Sequence, residues 1–375
     1  METGSKYHRV LATALIAALL GWGCATVPRE VSQGPTDTPE QHYAAGMKLV
    51  EARDYRKALE TFERAKALNP DFAPAYEGIG LAQLGLGDLA AAEAAMKTAK
   101  SKDDKYVPAF VGLGRVLAAK GDTKGALREF GFAVDLDPKN PATYFYRGLT
   151  HLVVYDFNKA EADFAQALEL KPDFAEARRE WERAVKIKMA APGTIIGKRI
   201  ATADPITRGD LAALLVTELG LEEKLRKRRP ELFNPGFVAP RGTAMPATSP
   251  IPAITDVGEH WARNYIELVA RLNVMEPFPD HTFRPGETLT RGNYAMIVQE
   301  ILVVVAGDAG LRTRFVGTQS PFPDVRPDHF AFNAAMIATT RGILEADRKS
   351  GAFRVTDPVS GPDALLSLRK LAEIF

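Results

Sequence analysis

Two arginines directly follow a hydroxyl residue at the head of an apolar run: Thr207-Arg208 in PITRGDLAALLV (205–216) and Thr290-Arg291 in LTRGNYAMIV (289–298). A guanidinium is a planar fork that meets a carboxylate or phosphate with two parallel hydrogen bonds, so the pair reads as an anion-binding candidate. Nothing comparable points to covalent chemistry. The six histidines, at 8, 42, 151, 260, 281 and 329, have neither an HExxH nor another ligand spacing. GxG strings such as GIGLAQLGLGD (78–88) sit inside helical patterns rather than in a phosphate-cradling loop. No acid-base pair stands out, so no metal, no cofactor and no enzyme activity is expected.

The elements that position the arginines are helix starts. Thr207, Thr290 and Ser360 each precede a helical run, with Asp210, Asn293 and Asp363 three residues later. A hydroxyl at the N-cap accepts from a free backbone N–H, and a polar side chain three places on returns the bond, less well when it is Asn. Capping accounts for the hydroxyl residues and leaves the arginines unexplained, because a cation in the first turn opposes the helix macrodipole.

These helix starts belong to a repeated unit. Residues 255–302 and 323–368 align with Asp256 on Asp324, Trp261 on Phe330, Phe283 on Phe353, Arg284 on Arg354 and Thr290 on Ser360, each copy reading as helix, tight turn, helix. Asp256, Trp261, the turn FPDHTFRP (278–285) and LTRGNY (289–294) resemble the S-layer homology domain over roughly 190–375. The resemblance implies three units in a pseudo-threefold helical bundle whose grooves bind cell-wall polymers, often through acidic groups. Carried over by position, the contacts would come from Thr207, Arg208, Trp261, Arg284, Thr290 and Arg291. For Trp261 the helical context favours core over a sugar-stacking face.

The first unit keeps only its latter half, IGKRIATADPITRGDLAALL, and the helix around Trp181 is expected to stand in for the missing one. In the third unit Gly361 and Pro362 replace the Arg and the small residue after it, so its groove is expected to bind nothing. The run KLRKRR (224–229) reads as a solvated loop, and the Pro-rich stretch 233–254 as an insertion.

Upstream, residues 39–174 repeat with a period of 34 and no insertion. Gly46, Gly80, Gly114 and Gly148 share one phase, Ala58, Ala92, Ala126 and Ala160 a second, and Phe62, Met96, Phe130 and Phe164 another. Two helices approach closely only where one presents Gly or Ala, and a large neighbour must fill the space beside that contact. The spacing resembles tetratricopeptide repeats, four of them, with 175–190 as capping helix. The family's concave face would carry Tyr43, Met47, Glu77, Leu81, Val111, Arg115, Phe145 and Leu149, a groove for a protein or peptide ligand, though packing against neighbouring helices is the competing reading for each.

The N-terminus has Lys6 and Arg9, the apolar run VLATALIAALL (10–20) and GWGC ending at Cys24, the only cysteine. It reads as an export signal over 1–23, too short to span a bilayer, and resembles the lipobox of bacterial lipoproteins, which implies lipid on Cys24. Residues 24–38 are a polar tether. Formal charge is +1, which excludes the strongly basic face of a nucleic-acid binder.

The expected fold is mainly α: a four-repeat α-solenoid followed by a helical pseudo-threefold bundle. The expected function is a non-catalytic cell-envelope lipoprotein, with its sites in the peptide groove and the polymer seams, held to the outer membrane on its periplasmic side and gripping peptidoglycan or an attached acidic polymer. The alternative is an assembly factor for a secretion, pilus or polysaccharide-export complex, with the C-terminal half as scaffold only.

Overall fold

The computed structural model describes residues 34–35, 37–233 and 254–375. The expected export signal, Cys24, most of the tether and the Pro-rich stretch from 234 to 253 lie outside the described residues. Those described form sixteen α-helices and two short 3-10 turns, with two isolated β-bridges and no strand among them. In order these are α1 (Pro39–Glu51), α2 (Tyr55–Leu68), α3 (Ala73–Leu86), α4 (Leu89–Lys102), α5 (Val107–Ala119), α6 (Thr123–Leu136), α7 (Pro141–Val153) and α8 (Phe157–Leu170). There follow α9 (Ala175–Ala190), α10 (Ile195–Ala201), α11 (Arg208–Thr217), α12 (Leu221–Arg228), α13 (Arg263–Arg271), α14 (Arg291–Ala306), α15 (Phe332–Thr340) and α16 (Gly361–Ala372). The chain divides into two compact units, 1–146 and 147–375, with the division inside α7.

In the first unit, α1 to α6 pair as hairpins, and the small-and-large logic of the sequence is met atom by atom. The Phe62 ring lies where a Cβ on Gly46 or Gly78 would stand, and an added Cβ on Gly80 would come within 2.8 Å of Met96 Cε. Gly114 faces Phe130 in the same way, at 2.6 Å. These large side chains are fully buried, so each glycine is required by close approach of the facing helix. The 34-residue period carries a further feature: Asp54, Asp88, Asp122 and Asp156 are the N-caps of α2, α4, α6 and α8, accepting from the backbone N–H three residues on.

The second unit begins with the rest of α7 and with α8, where a Cβ added to Gly148 would meet Phe164 at 2.7 Å. Helix α9 packs on α8 and also on α16. Arg369 of α16 donates from Nε to Ala190 O at 2.9 Å and from Nη2 to Ala191 O at 2.8 Å, closing the C-terminus of α9. The same guanidinium pairs with Glu218 at 2.8 Å, a buried carboxylate that also accepts from Gly193 N, Thr194 N and Thr194 Oγ1.

At the centre of this unit three residues bond in a triangle. Ile206 N donates to Val359 O at 2.9 Å, Val359 N to Leu289 O at 3.0 Å, and Leu289 N to Ile206 O at 3.1 Å. All three side chains are buried. Each residue directly precedes a hydroxyl N-cap, so three helix starts (α11, α14, α16) radiate from one hydrogen-bonded knot, the pseudo-threefold axis. The basic run 224–229 differs from the expected loop: most of it is the end of α12, where Arg226 pairs with Glu222 and Lys227 with Glu223 four residues back. Arg228 reaches the carbonyls of Ile374 and Phe375, and Arg229 that of Val304 near the end of α14.

Candidate functional site

The knot sets each helix start against the loop of the next unit. Arg208 N donates to Glu287 O and Gly209 N to Pro285 O, both at 2.9 Å; Arg291 N donates to Asp357 O at 2.8 Å and Gly292 N to Val355 O at 2.9 Å; Gly361 N donates to Ala203 O at 2.9 Å. The first-turn N–H groups that a helix leaves unsatisfied are therefore spent across the seams. Thr207 and Asp210 form a complete capping box, whereas Thr290 accepts from Asn293 N with no bond returned. Ser360 accepts from Asp363 N at 3.3 Å and its hydroxyl donates to Asp363 Oδ2 at 2.6 Å.

The same seams explain the arginines. Arg208 Nε donates to Phe283 O at 2.8 Å and Nη2 to Glu276 O at 3.2 Å, with the guanidinium 4.8 Å from the Phe278 ring and 4.6 Å from that of Phe283. Arg291 repeats the pattern one unit on, Nε to Phe353 O at 2.9 Å and Nη2 to Glu345 O at 2.8 Å. A cation in the first helical turn is thus compensated by two carbonyl dipoles of the facing loop. Burial pulls the Arg208 guanidinium below its ordinary value, with Glu287 acting in the opposite sense.

The loops that supply those carbonyls are fixed by the Asp that leads each unit. Asp256 accepts from Phe283 N and Arg284 N, both at 2.7 Å, and Asp324 from Phe353 N at 2.8 Å and Arg354 N at 2.6 Å. Arg284 and Arg354 have positive φ, 55° and 60°, a conformation the paired acceptor holds in place. Arg284 lies over the Phe278 ring at 4.0 Å and pairs with Asp280 at 2.9 Å.

Between the first two units of the bundle a cavity of about 550 Å³ opens beside Arg208, lined also by Glu276, Phe278, Glu287, Asn293, Met296, Glu300 and Arg312 among others. Arg312 is engaged with both oxygens of Glu300, Nε to Oε1 at 3.2 Å and Nη2 to Oε2 at 2.6 Å. The structure brings Arg208 to this cavity and stacks Arg284 on the Phe278 ring that walls it; Arg291 stands at the next seam. Thr207 and Thr290 are occupied as caps. Trp261 departs from its expected core position: it is 44 % exposed, with the Arg199 guanidinium 3.8 Å from its ring and Tyr265 edge-on at 6.4 Å. Arg199, Glu276 and Glu287 were not marked by the sequence, since no motif residue carries them.

In the first unit, Tyr43 donates to Glu77 Oε2 at 2.9 Å and its hydroxyl lies 3.4 Å from that of Tyr106. Glu77 is buried, and desolvation pushes its carboxyl up to about 7 against the lowering effects of Tyr43 and Arg115. The Arg115 guanidinium stacks 4.3 Å from the Tyr146 ring. Leu81, Val111 and Phe145 are buried, and Met47 packs against the cores around Phe62 and Met96. Leu149, in the second unit, is half-buried. The polar members are thus clustered and the apolar ones serve packing.

Among the described residues no group of three or more His, Cys, Asp or Glu is arranged to hold a metal, and no helix is long and apolar enough to cross a membrane.

The S-layer homology domain model matches residues 253–295, and a tetratricopeptide repeat model matches 43–106 and 111–173. The chain carries tetratricopeptide repeats followed by an S-layer homology segment, which are protein-interaction and envelope-associating families. It is similar to outer membrane protein SlpA of Deinococcus radiodurans, 40% identical over 62 residues that make up 16% of this chain and 5% of that protein. Exoglucanase XynX of Acetivibrio thermocellus is 25% identical over 95 residues, 25% of this chain and 8% of the enzyme. The chain therefore spans under a tenth of either relative's length. A solved thermophilic tetratricopeptide-repeat protein of Thermus thermophilus aligns over 50% of this chain and 97% of its own, with 24% identity and a TM-score of 0.38.

Proposed function

We propose that the protein is a non-catalytic envelope lipoprotein, a repeat scaffold for protein partners joined to a module that holds peptidoglycan or a polymer attached to it. The observation that carries the wall-binding half is the cavity of about 550 Å³ at the first seam, beside which Arg208 is fixed by two carbonyls. A guanidinium positioned before the ligand arrives loses little side-chain freedom on binding, which favours recognition at that point. Lipid on Cys24 supplies the other attachment. A single acyl chain binds a bilayer only marginally, so several chains and a polymer contact together hold where either alone would release.

Sedimentation of the full chain with purified sacculi tests this reading. Wild type pellets with the sacculi, and Met296→Trp, which fills the cavity with bulk without touching the knot, stays in the supernatant. Failure of wild type to pellet would remove the wall-binding role and leave the repeats, as an assembly factor, to carry the function.

A further inference from the structure

The seam cavity has a charge pattern that a cationic fork alone does not predict. Arg208 is only 9% exposed, and Nε and one Nη2 hydrogen are spent on carbonyls, while Nη1 has no hydrogen-bond partner among the described residues. Glu276 and Glu287 line the same cavity, and neither carboxylate has a hydrogen-bond partner among the described residues. The third carboxylate, Glu300, is taken up by Arg312. The lining therefore offers groups of both kinds that make no hydrogen bond: a guanidinium nitrogen at the cavity, and two carboxylates, Glu276 exposed and Glu287 half-buried, which together with Glu300 outnumber the two guanidiniums. Phe278, Met296 and Ile297 add an apolar wall.

Resting on the wall-binding reading above, we infer that this seam takes a ligand carrying a primary ammonium beside a hydrogen-bond acceptor, the amino-acid head of a wall peptide, and not a polyanion. An acidic polymer would bring its charge against Glu276 and Glu287, where like charges in a partly desolvated cleft repel more strongly than in water. An ammonium with a neighbouring carbonyl or carboxylate satisfies both sets at once: the carboxylates receive the N–H donors, and Nη1 of Arg208 donates to the acceptor. The methylenes of a diamino acid then lie against Phe278 and Met296, covering apolar surface that is otherwise wet.

The experiment uses the full chain in two arms. Sacculi are compared before and after N-acetylation of their free amines with acetic anhydride. In parallel, the protein with 13C-methyl-labelled methionines is titrated with lysine and with glucuronate while the Met296 methyl resonance is followed. Untreated sacculi retain the protein, acetylated sacculi retain at least tenfold less, and lysine but not glucuronate shifts Met296 saturably, an effect lost in the isosteric Glu276→Gln/Glu287→Gln variant. Equal retention by both preparations would overturn the amine inference while leaving wall binding in place. If neither preparation retains the protein, wall binding falls and the lysine titration decides the site: a shift abolished by the double variant upholds it, and no shift, or a shift with glucuronate instead, overturns it.

Discussion

Arg183 of α9 donates Nη2 to the carbonyl of Thr202, in the loop that the third helix start faces. Arg208 and Arg291 reach loop carbonyls from the first residue of their own helices, but the third helix begins with Gly361, so at this seam the guanidinium comes from α9 instead. Lys186, one turn along, pairs with Asp363 at 3.0 Å. Helix α9 thereby belongs to the bundle as much as to the repeat helix it packs on.

Removing it separates the two descriptions. A fragment beginning at Ala175 is expected to unfold cooperatively in urea, whereas one beginning at Pro192 loses the Arg183, Lys186 and Arg369 contacts together with the buried face of α9, Ala177, Ala184, Ile187 and Ala190. Arg183→Ala in the full chain costs about 1–2 kcal/mol, the order of a hydrogen bond from a charged donor to a half-buried carbonyl. Equal urea midpoints for the two fragments would show that α9 is only a cap on the repeats.

Gly361 itself is fixed by space. A Cβ there would run into the Ile200 carbonyl oxygen, a backbone atom in the last turn of α10, whereas at Gly292 the nearest atom, Val355 O, is 3.2 Å away. Gly361→Ala is expected to cost roughly 1–3 kcal/mol by overpacking, and Gly292→Ala clearly less. Thermal melts of the two variants side by side measure the order, and a reversed order would contradict the seam geometry.

The glycine and large-residue pairing of the repeats predicts a cavity cost. Phe62 is fully buried between Gly46 and Gly78, so Phe62→Ala should lose about 3–5 kcal/mol. Exposed Phe132, 51% accessible, should lose far less on the same change. Urea titrations with a common baseline compare them.

Glu77 gives a pH dependence with a defined sign. Its carboxyl is raised to about 7 in the folded state from a reference of 4.5, so the folded protein holds the proton more tightly than the unfolded chain. Between those values the native state binds more protons than the unfolded one, and this group's contribution to stability is full below about 4.5, declines as pH rises and is lost above about 7. Glu77→Gln, which keeps the acceptor for Tyr43 and cannot ionise, should gain on wild type on the order of 1–3 kcal/mol at pH 8 relative to pH 5. Parallel stability profiles for the two proteins would contradict the assignment.

Much of this was legible in the residues because periodicity is a local property. The 34-residue period marked which positions are small and which are large, and a hydroxyl three residues before a polar side chain marked Thr207, Thr290 and Ser360 as helix starts, since capping depends only on neighbours along the chain. What the sequence by itself could not determine is where a long side chain goes once its helix has docked. Arg208 and Arg291 look like free forks in a linear reading and are half spent on carbonyls 54 to 75 residues away. Trp261 has a core residue's spacing and lies on the surface under Arg199, and Glu287 becomes a cavity wall without belonging to any motif. Each of these is decided by the triangle of Ile206, Leu289 and Val359, because only its closure brings three distant helix starts to common seams, and no local pattern encodes which loop will face which helix.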